Sequence, residues 1–308
     1  MEQYFILIIT ALVMGTIARL LMMKVDYRQY PTYPQSYLGH FTLGMIAAGL
    51  GAVTVPALAE KEYTAITFIT LAAQHFRDVR NMERESLDNI EVTELVPRGT
   101  AYIEDIAKGF EARNYLALLT SLASGIGYFI GQHFELPMVV RILVGVAFGS
   151  IVIVIITQML KGVSIEDIAE VKPAEISFDG PLLTINGVFV MNIGLKDSQK
   201  IFLEKGIAVE IIPKDEDAMS VLANVGQRQA IQHNASTQLG IRKDVDEPDF
   251  TPIARRNPEN GNVVMAIITM NPDVDCLVEV VKRTPVLESS KRRALDVAFK
   301  SKSEKMGR

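Results

Sequence analysis

The sequence holds a single cysteine, Cys276, and no tryptophan. One thiol excludes an intrachain disulfide framework and any CxxC metal or redox motif. The four histidines, His40, His75, His133 and His233, stand far apart, so neither HExxH nor a histidine cluster offers a zinc site. No P-loop or GxGxxG is present, which leaves nucleotide chemistry without sequence support, and no cofactor is expected. Nor is the chain uniformly basic: 31 Lys+Arg against 36 Asp+Glu give a net charge of −5, which argues against nucleic acid as a partner. These absences exclude many enzymes and select none.

What the chain has in excess is apolar surface. Of its 308 residues 49% are hydrophobic, with a mean hydropathy of +0.21, and the excess is concentrated in the first half. Residues 6–22 carry one charge, Arg19, and with Tyr4 and Phe5 can cross a hydrocarbon core of roughly 30 Å as a helix. Their length and the lack of a small-residue cleavage site before Lys24 favour an anchor over a cleaved signal peptide. Residues 41–59, 115–134 and 142–160 give three more spans. The sequence therefore predicts a multi-pass α-helical membrane bundle of about four transmembrane helices over 1–160, followed by a soluble α+β domain over 161–281 and a basic tail over 282–308. Residues 64–76 are apolar too, but a run of roughly a dozen residues reads as re-entrant, interfacial or buried rather than crossing. If they did cross, every later segment would change sides.

With four spans, most flanking Lys and Arg fall on the side shared by the N-terminus, residues 60–114 and the chain after Leu160, which marks that side, and the soluble domain, as cytoplasmic in the bacterial cell membrane. The first helix alone argues the reverse, because Glu2 precedes it and three basic residues follow from position 19.

No ionisable residue sits near the centre of any span. That counts against proton-coupled transport and against an intramembrane carboxylate dyad. Hydroxyls such as Thr10, Thr54, Thr120, Ser121 and Ser124 can bond to their own helix backbone. Gly127 with Gly131 and Gly145 with Gly149 form GxxxG pairs, where small residues let helices approach within the chain or between copies of a homo-oligomer in the lipid bilayer.

Residues 101–113 place Tyr102, Ile103, Ile106, Ala107 and Phe110 at helical spacing, with Glu104, Asp105, Lys108 and Glu111 elsewhere. That pattern predicts an amphipathic helix lying on the membrane surface before the chain turns into the third span. Here the sequence resembles a known family. Tyr102-Ile103-Glu104-Asp105-Ile106-Ala107, with Lys108 and the run from Phe110 to Tyr115, is similar to the signature of the YIEGIA family, departing from the name where Asp105 replaces Gly. The resemblance covers nearly the whole chain. It implies an integral membrane protein of endospore-forming bacteria acting in sporulation and spore-envelope assembly with sporulation partner proteins, and also, more loosely, membrane-localised proteolysis controlled by partners. A second IEDIA, at 165–169, has unrelated flanks.

Past Lys172 the hydrophobic period shortens. Strands are predicted over 174–178, 182–185 and 188–193, joined by Asp179-Gly180 and Asn186-Gly187 turns. A helix over 196–205 closed by Gly206, a strand over 207–212, and a long helix over 215–239 weakened by Gly226 follow. After a charged loop at 242–249 come strands over 251–256, 263–270 and 276–281. Residues 161–281 carry a net −8, and 282–308 a net +6, a tail that is either solvated or held by anionic lipid.

The one catalytic-looking motif is Phe178-Asp179-Gly180. An aspartyl protease needs two carboxylates sharing a proton, so Asp179 would need a symmetry mate, whereas Asp-Gly between strands is also a hairpin turn. His233 lies inside a helix with no GxSxG to serve, and Cys276 falls in a predicted strand. Two readings stand: an oligomeric sporulation membrane protein presenting a soluble domain to partners, and a membrane protease of aspartyl type. No metal site is expected.

Overall fold

In a computed structural model of the chain, residues 4–29, 35–160, 162–241, 250–270 and 272–291 are described. The charged loop at 242–249 and the tail beyond Lys291 lie outside them. The chain divides into two units: a helical one, residues 1–86 with 106–161, and an α+β one, residues 87–105 with 162–308. The boundary differs from the expected 160/161 break because the end of one helix, a loop and the start of the next belong to the α+β unit.

The helical unit is built from α1 (Phe5–Gln29), α2 (Gln35–Ala59), the first part of α3 (Tyr63–Glu91), α4 (Thr100–His133) from Ile106 onward, and α5 (Met138–Met159). Three stretches, Phe5–Met23, Tyr37–Ala59 and Met138–Met159, are long and apolar enough to cross a membrane. They match three of the four expected spans. The remaining expected span, the third at 115–134, falls in the second half of a 34-residue helix. Its inward face is small and hydroxylated: Ala117, Thr120, Ser121 and Ser124 are buried.

Neighbours along the helices fix their directions. α1 and α2 are antiparallel, Gly15 facing Ala48 and Arg19 facing Gly44. A Cβ on Gly15 would lie 2.6 Å from the Ala117 carbonyl oxygen, so α4 approaches α1 backbone to backbone. α3 runs back along α2: His40 Nε2 lies 3.8 Å from Glu83 Oε1, and Ala47 and Ala48 share a buried cluster with Phe76 and Ala117. Residues 64–76 are thus the first half of a 29-residue helix antiparallel to α2, not an isolated short segment. The threonines behave as expected, Thr10 and Thr54 donating to the Ile6 and Leu50 carbonyls, while Ser121 donates across to Ala48 O of α2 at 2.7 Å.

In the α+β unit a one-turn helix, α6 (Ile165–Ile168), leads into β1 (Ala169–Ala174). Ser164 and Asp167 form a capping box, the chemistry behind the second IEDIA. There follow β2 (Ile176–Asp179), β3 (Leu182–Ile185), β4 (Val188–Asn192), α7 (Lys196–Lys205), β5 (Gly206–Pro213), α8 (Glu216–Ala223), α9 (Val225–Leu239), β6 (Ile253–Arg256), β7 (Val263–Ile268), α10 (Val274–Lys282) and a 3₁₀ turn, Glu288–Lys291. Two antiparallel sheets result, one in the order β1-β5-β7-β6, the other β2-β3-β4. β7 is buried at every position. Its Val263, Met265 and Ile267 pack with Ile231, Leu222 and Leu277 of the helices, and its Val264, Ala266 and Ile268 pack with Leu183, Ile185 and Phe202 of the second layer. Each such fully buried aliphatic side chain contributes roughly 1.5–3 kcal/mol.

Two expectations are corrected here. Residues 276–281 are not a strand. Asp273 accepts from Cys276 N at 2.9 Å and so starts α10, whose Leu277, Val278 and Val281 share one buried face. The long helix over 215–239 is two helices, broken at Asn224, which caps α9 by accepting from Gln227 N.

Candidate functional site at the head of α4

The hexapeptide opens a longer helix. Residues 101–113 continue without a turn into the rest of α4, and their apolar stripe is packed in protein: Ile103, Ala107 and Phe110 are fully buried, Tyr102 and Ile106 nearly so. Amphipathic spacing shows that a face is covered and leaves open what covers it.

The head of α4 is held by the segment that precedes it. The Glu91 carboxylate at the end of α3 accepts from the backbone N–H of Arg98, at 3.0 Å, and of Gly99, satisfying donors at the N-terminus of α4 that the helix leaves without partners. Gly99 has φ +86°, which favours glycine, and a Cβ there would sit 2.6 Å from Gln229 Oε1 and displace that side chain. Val96 and Arg98 of this strap are buried.

Opposite the strap, α9 presents His233, Asn234 and Gln229. His233 Nδ1 lies 2.7 Å from the Val96 carbonyl oxygen, and Arg98 Nε donates to His233 Nε2 at 3.1 Å. A carbonyl only accepts and a guanidinium only donates, so the ring is the neutral tautomer with its proton on Nδ1. Burial holds His233 below its ordinary value and the Arg98 cation adds to this, although the Val96 bond opposes it. Arg98 also pairs with Glu94 at 3.2 Å. Tyr102 OH donates to Asn234 Oδ1 at 3.3 Å, Asn234 Nδ2 donates on to Thr284 Oγ1 at 3.4 Å, and burial raises the phenol. Asp105, the residue that departs from the family name, accepts the backbone N–H of Glu288 at 2.7 Å. Gln227, fully buried, receives Leu287 N and Ser290 Oγ and donates to Pro285 O. Residues 285–290 are therefore ordered parts of the unit, not the start of a loose tail.

This arrangement holds and orients; it contains no activated nucleophile. Asp179 is elsewhere, exposed at the β2–β3 turn with Gly180 at φ +59°, the geometry of a hairpin. Cys276 is exposed. Among the described residues no group of three or more His, Cys, Asp or Glu could hold a metal. The four GxxxG glycines are brought together inside the chain: Gly127 faces Phe148 and Val144, Gly131 faces Arg141, and Gly145 and Gly149 face Ser124.

Sequence reasoning missed a second polar cluster, in the helical unit. Arg19 is fully buried with its guanidinium 5.4 Å from the Phe110 ring centroid, the His40 ring lies 4.6 Å from the same ring, and Arg80 pairs with Glu111 at 3.0 Å. A charge buried from water is costly unless it has partners, so Arg19 marks a constrained position. The signal available was Arg19 within an otherwise uncharged run.

Comparison with known proteins agrees with the hexapeptide. The model of the family described as YIEGIA protein matches residues 7–297. The chain is 39% identical over 292 residues to a Bacillus subtilis (strain 168) protein named "Uncharacterized protein YphB", covering 95% of each. No solved structure matches. The chain that carries this hexapeptide belongs to the YIEGIA family.

Proposed function

We propose that this chain is an integral membrane protein of sporulation, anchored by its helical unit, that presents the α+β unit to partner proteins in spore-envelope assembly. The observation that carries the reading is how the family hexapeptide is used. Tyr102 to Asp105 are counted with the α+β unit and Ile106 and Ala107 with the helical unit, on one unbroken helix. A segment shared in this way suits a protein that connects a bilayer anchor to a partner-binding unit. The sporulation role rests on family membership.

Within this reading the chain crosses five times, α1 to α5. The antiparallel course of α3 along α2 supports the extra crossing. So does charge: Lys24 and Arg28 in the C-terminal part of α1, Arg98 before α4 and Lys161 after α5 then fall on one side, against Lys61 and Arg141 on the other. The basic side is the cytoplasmic one, and the first helix no longer conflicts with the rest. Because the glycine pairs are used within the chain, self-association would draw on the outward face of α5, where Leu143, Ile151, Val154 and Ile155 are exposed. The aspartyl-protease alternative gains no support from the hairpin position of Asp179.

The test is genetic. Deletion in an endospore-forming host lowers the yield of spores with an intact envelope, and Arg98→Ala stays in the membrane fraction yet fails to restore it. Normal spores in the deletion strain would reject the reading.

A further inference from the structure

We propose that β6, at the edge of the larger sheet of the α+β unit, takes an acidic, extended segment of a partner protein as a further strand, with Arg228, Arg255 and Arg256 receiving its carboxylates. The inference rests on the partner-binding reading above and names the surface used and the chemistry of the partner. In the order β1-β5-β7-β6 the last strand pairs on one side only. Asn257 N donates to Asn262 O at 2.7 Å, which fixes the alternation along the β6–β7 ladder: Ile253 and Arg255 turn their backbone groups toward β7, and Ala254 and Arg256 turn theirs to the outer edge. Among the described residues no backbone bond from outside the ladder reaches those two.

Three cations share this edge. Gln232 Nε2 donates to Pro252 O at 3.0 Å, so the face of α9 that carries Gln232 and, one turn earlier, Arg228 lies beside β6. Arg228 Nη1 donates to the Leu222 and Ala223 carbonyls at 3.2 and 2.9 Å, and Arg255 Nε donates to the Val190 carbonyl at 3.1 Å. Neutral carbonyls orient two guanidinium groups without cancelling their charge. Burial first, then the Arg256 and Arg255 cations, hold Arg228 below its ordinary value. Among the described residues no carboxylate pairs with any of the three. Carboxylates brought by a partner would relieve this repulsion, and the guanidinium fork accepts them in two parallel bonds.

Charge on a short edge strand also keeps edges from pairing at random. Here the two effects coincide, because arginines that repel a basic strand select an acidic one. A nucleic acid is the weaker fit: it has no amide backbone to extend the ladder, and residues 161–281 carry a net −8 that repels a long polyanion. A short strand with two carboxylates feels mainly the cations within a Debye length of about 8 Å.

The experiment measures fluorescence anisotropy of labelled peptides with the full chain in detergent. The probe has a central Glu-Glu pair flanked by Val and Thr, which puts one carboxylate on each face of a strand. Binding is expected to the parent chain, and to weaken about tenfold in roughly 0.5 M salt, with a Gln-Gln probe, and with the exposed Arg256 changed, Arg256→Glu. A Glu-Glu probe with Pro in place of the flanking Val residues keeps the charge but cannot extend the ladder, and should bind about tenfold more weakly as well. No binding to the parent, or equal binding of the Gln-Gln probe, overturns the proposal; equal binding of the Pro probe overturns the added strand. An oligonucleotide that binds more tightly than the Glu-Glu probe, with the same dependence on Arg256, transfers the edge to nucleic acid and overturns it too. Binding that appears only after Asp244→Asn, Asp246→Asn, Glu247→Gln and Asp249→Asn assigns the arginines to the chain's own loop and has the same effect. The spore phenotype is read separately: failed peptide binding with defective spores in the deletion strain removes this edge and leaves the sporulation reading standing, whereas normal spores reject that reading whatever the peptides do.

Discussion

Arg98 Nε donates to His233 Nε2 at 3.1 Å across 135 positions of sequence, and this one bond ties the strap before α4 to the centre of α9. Both side chains are buried, so neither can exchange its partner for water without exposing the other. Arg98→Ala leaves the imidazole acceptor without its donor and Glu94 without its cation, a loss of about 1–3 kcal/mol. A lower melting temperature by circular dichroism in detergent checks it; an unchanged one would mean that Glu91 and the bonds from Val96 and Pro97 to α9 suffice to hold the strap.

The same pair sets a pH dependence. Burial, reinforced by the Arg98 cation, lowers His233 from its ordinary 6.5, so between the folded value and 6.5 the unfolded chain binds a proton that the folded chain refuses. Stability from this site is complete above 6.5 and is lost as pH falls from there toward the lower folded value. The drop in melting temperature between about pH 7.5 and 5.5 should be smaller in His233→Gln than in the parent chain. Equal drops would show that His233 contributes nothing to it.

Asp105 offers a test of the position at which the chain departs from the family name. Asp105→Gly restores the glycine of the family name, removes the acceptor for Glu288 N and puts glycine inside a helix, costing about 1 kcal/mol in propensity and roughly 0.5–1.5 kcal/mol more for the bond. Asp105→Asn retains an acceptor oxygen and should recover most of the second loss. Proteolysis of residues 285–291 is the readout, faster in the glycine variant.

Much of the α+β unit was legible because its signals are local. Asn186-Gly187 and Asp179-Gly180 mark hairpins by backbone chemistry alone, and α7 ends where Gly206 follows Lys205. α10 was misread because Cys276 to Val281 is apolar at nearly every position; the Asp273 cap three residues earlier was the overlooked cue. The site was illegible for a different reason. Arg98, Tyr102, His233 and Thr284 meet only through tertiary structure, and none carries a spacing that points to the others. α3 was misjudged because its polar second half masks a helix long enough to follow α2 back.

Gly99→Ala places a side chain on a backbone with φ +86° and a Cβ 2.6 Å from Gln229 Oε1. The positive φ alone costs on the order of 1–3 kcal/mol, and Gln229, which donates to Pro97 O, must move as well. Gln229→Ala in the same chain relieves the clash but not the backbone strain. The double variant should therefore recover part of the lost melting temperature and no more; full recovery would show that the strain is absent.

The course of α3 yields the sharpest test of the membrane topology. If α3 follows α2 back through the bilayer, Glu62 and Glu94, which flank that passage on the two turns, stand on opposite sides of it. In a Cys276→Ser background, Glu62→Cys in intact cells should react with a membrane-impermeant maleimide, and Glu94→Cys should react only after the cells are opened. The side assignment follows from the excess of Lys and Arg around Arg98 and after α5. Labelling of both positions from the same side would return 64–76 to a non-crossing segment and restore the count of four. It would also leave His40 and Glu83, 3.8 Å apart on α2 and α3, to be explained by a bundle end standing outside the hydrocarbon. Opposite sides would place that pair, with Arg19 against Phe110, near the cytoplasmic end of a five-helix bundle, where long basic side chains reach headgroups at least cost.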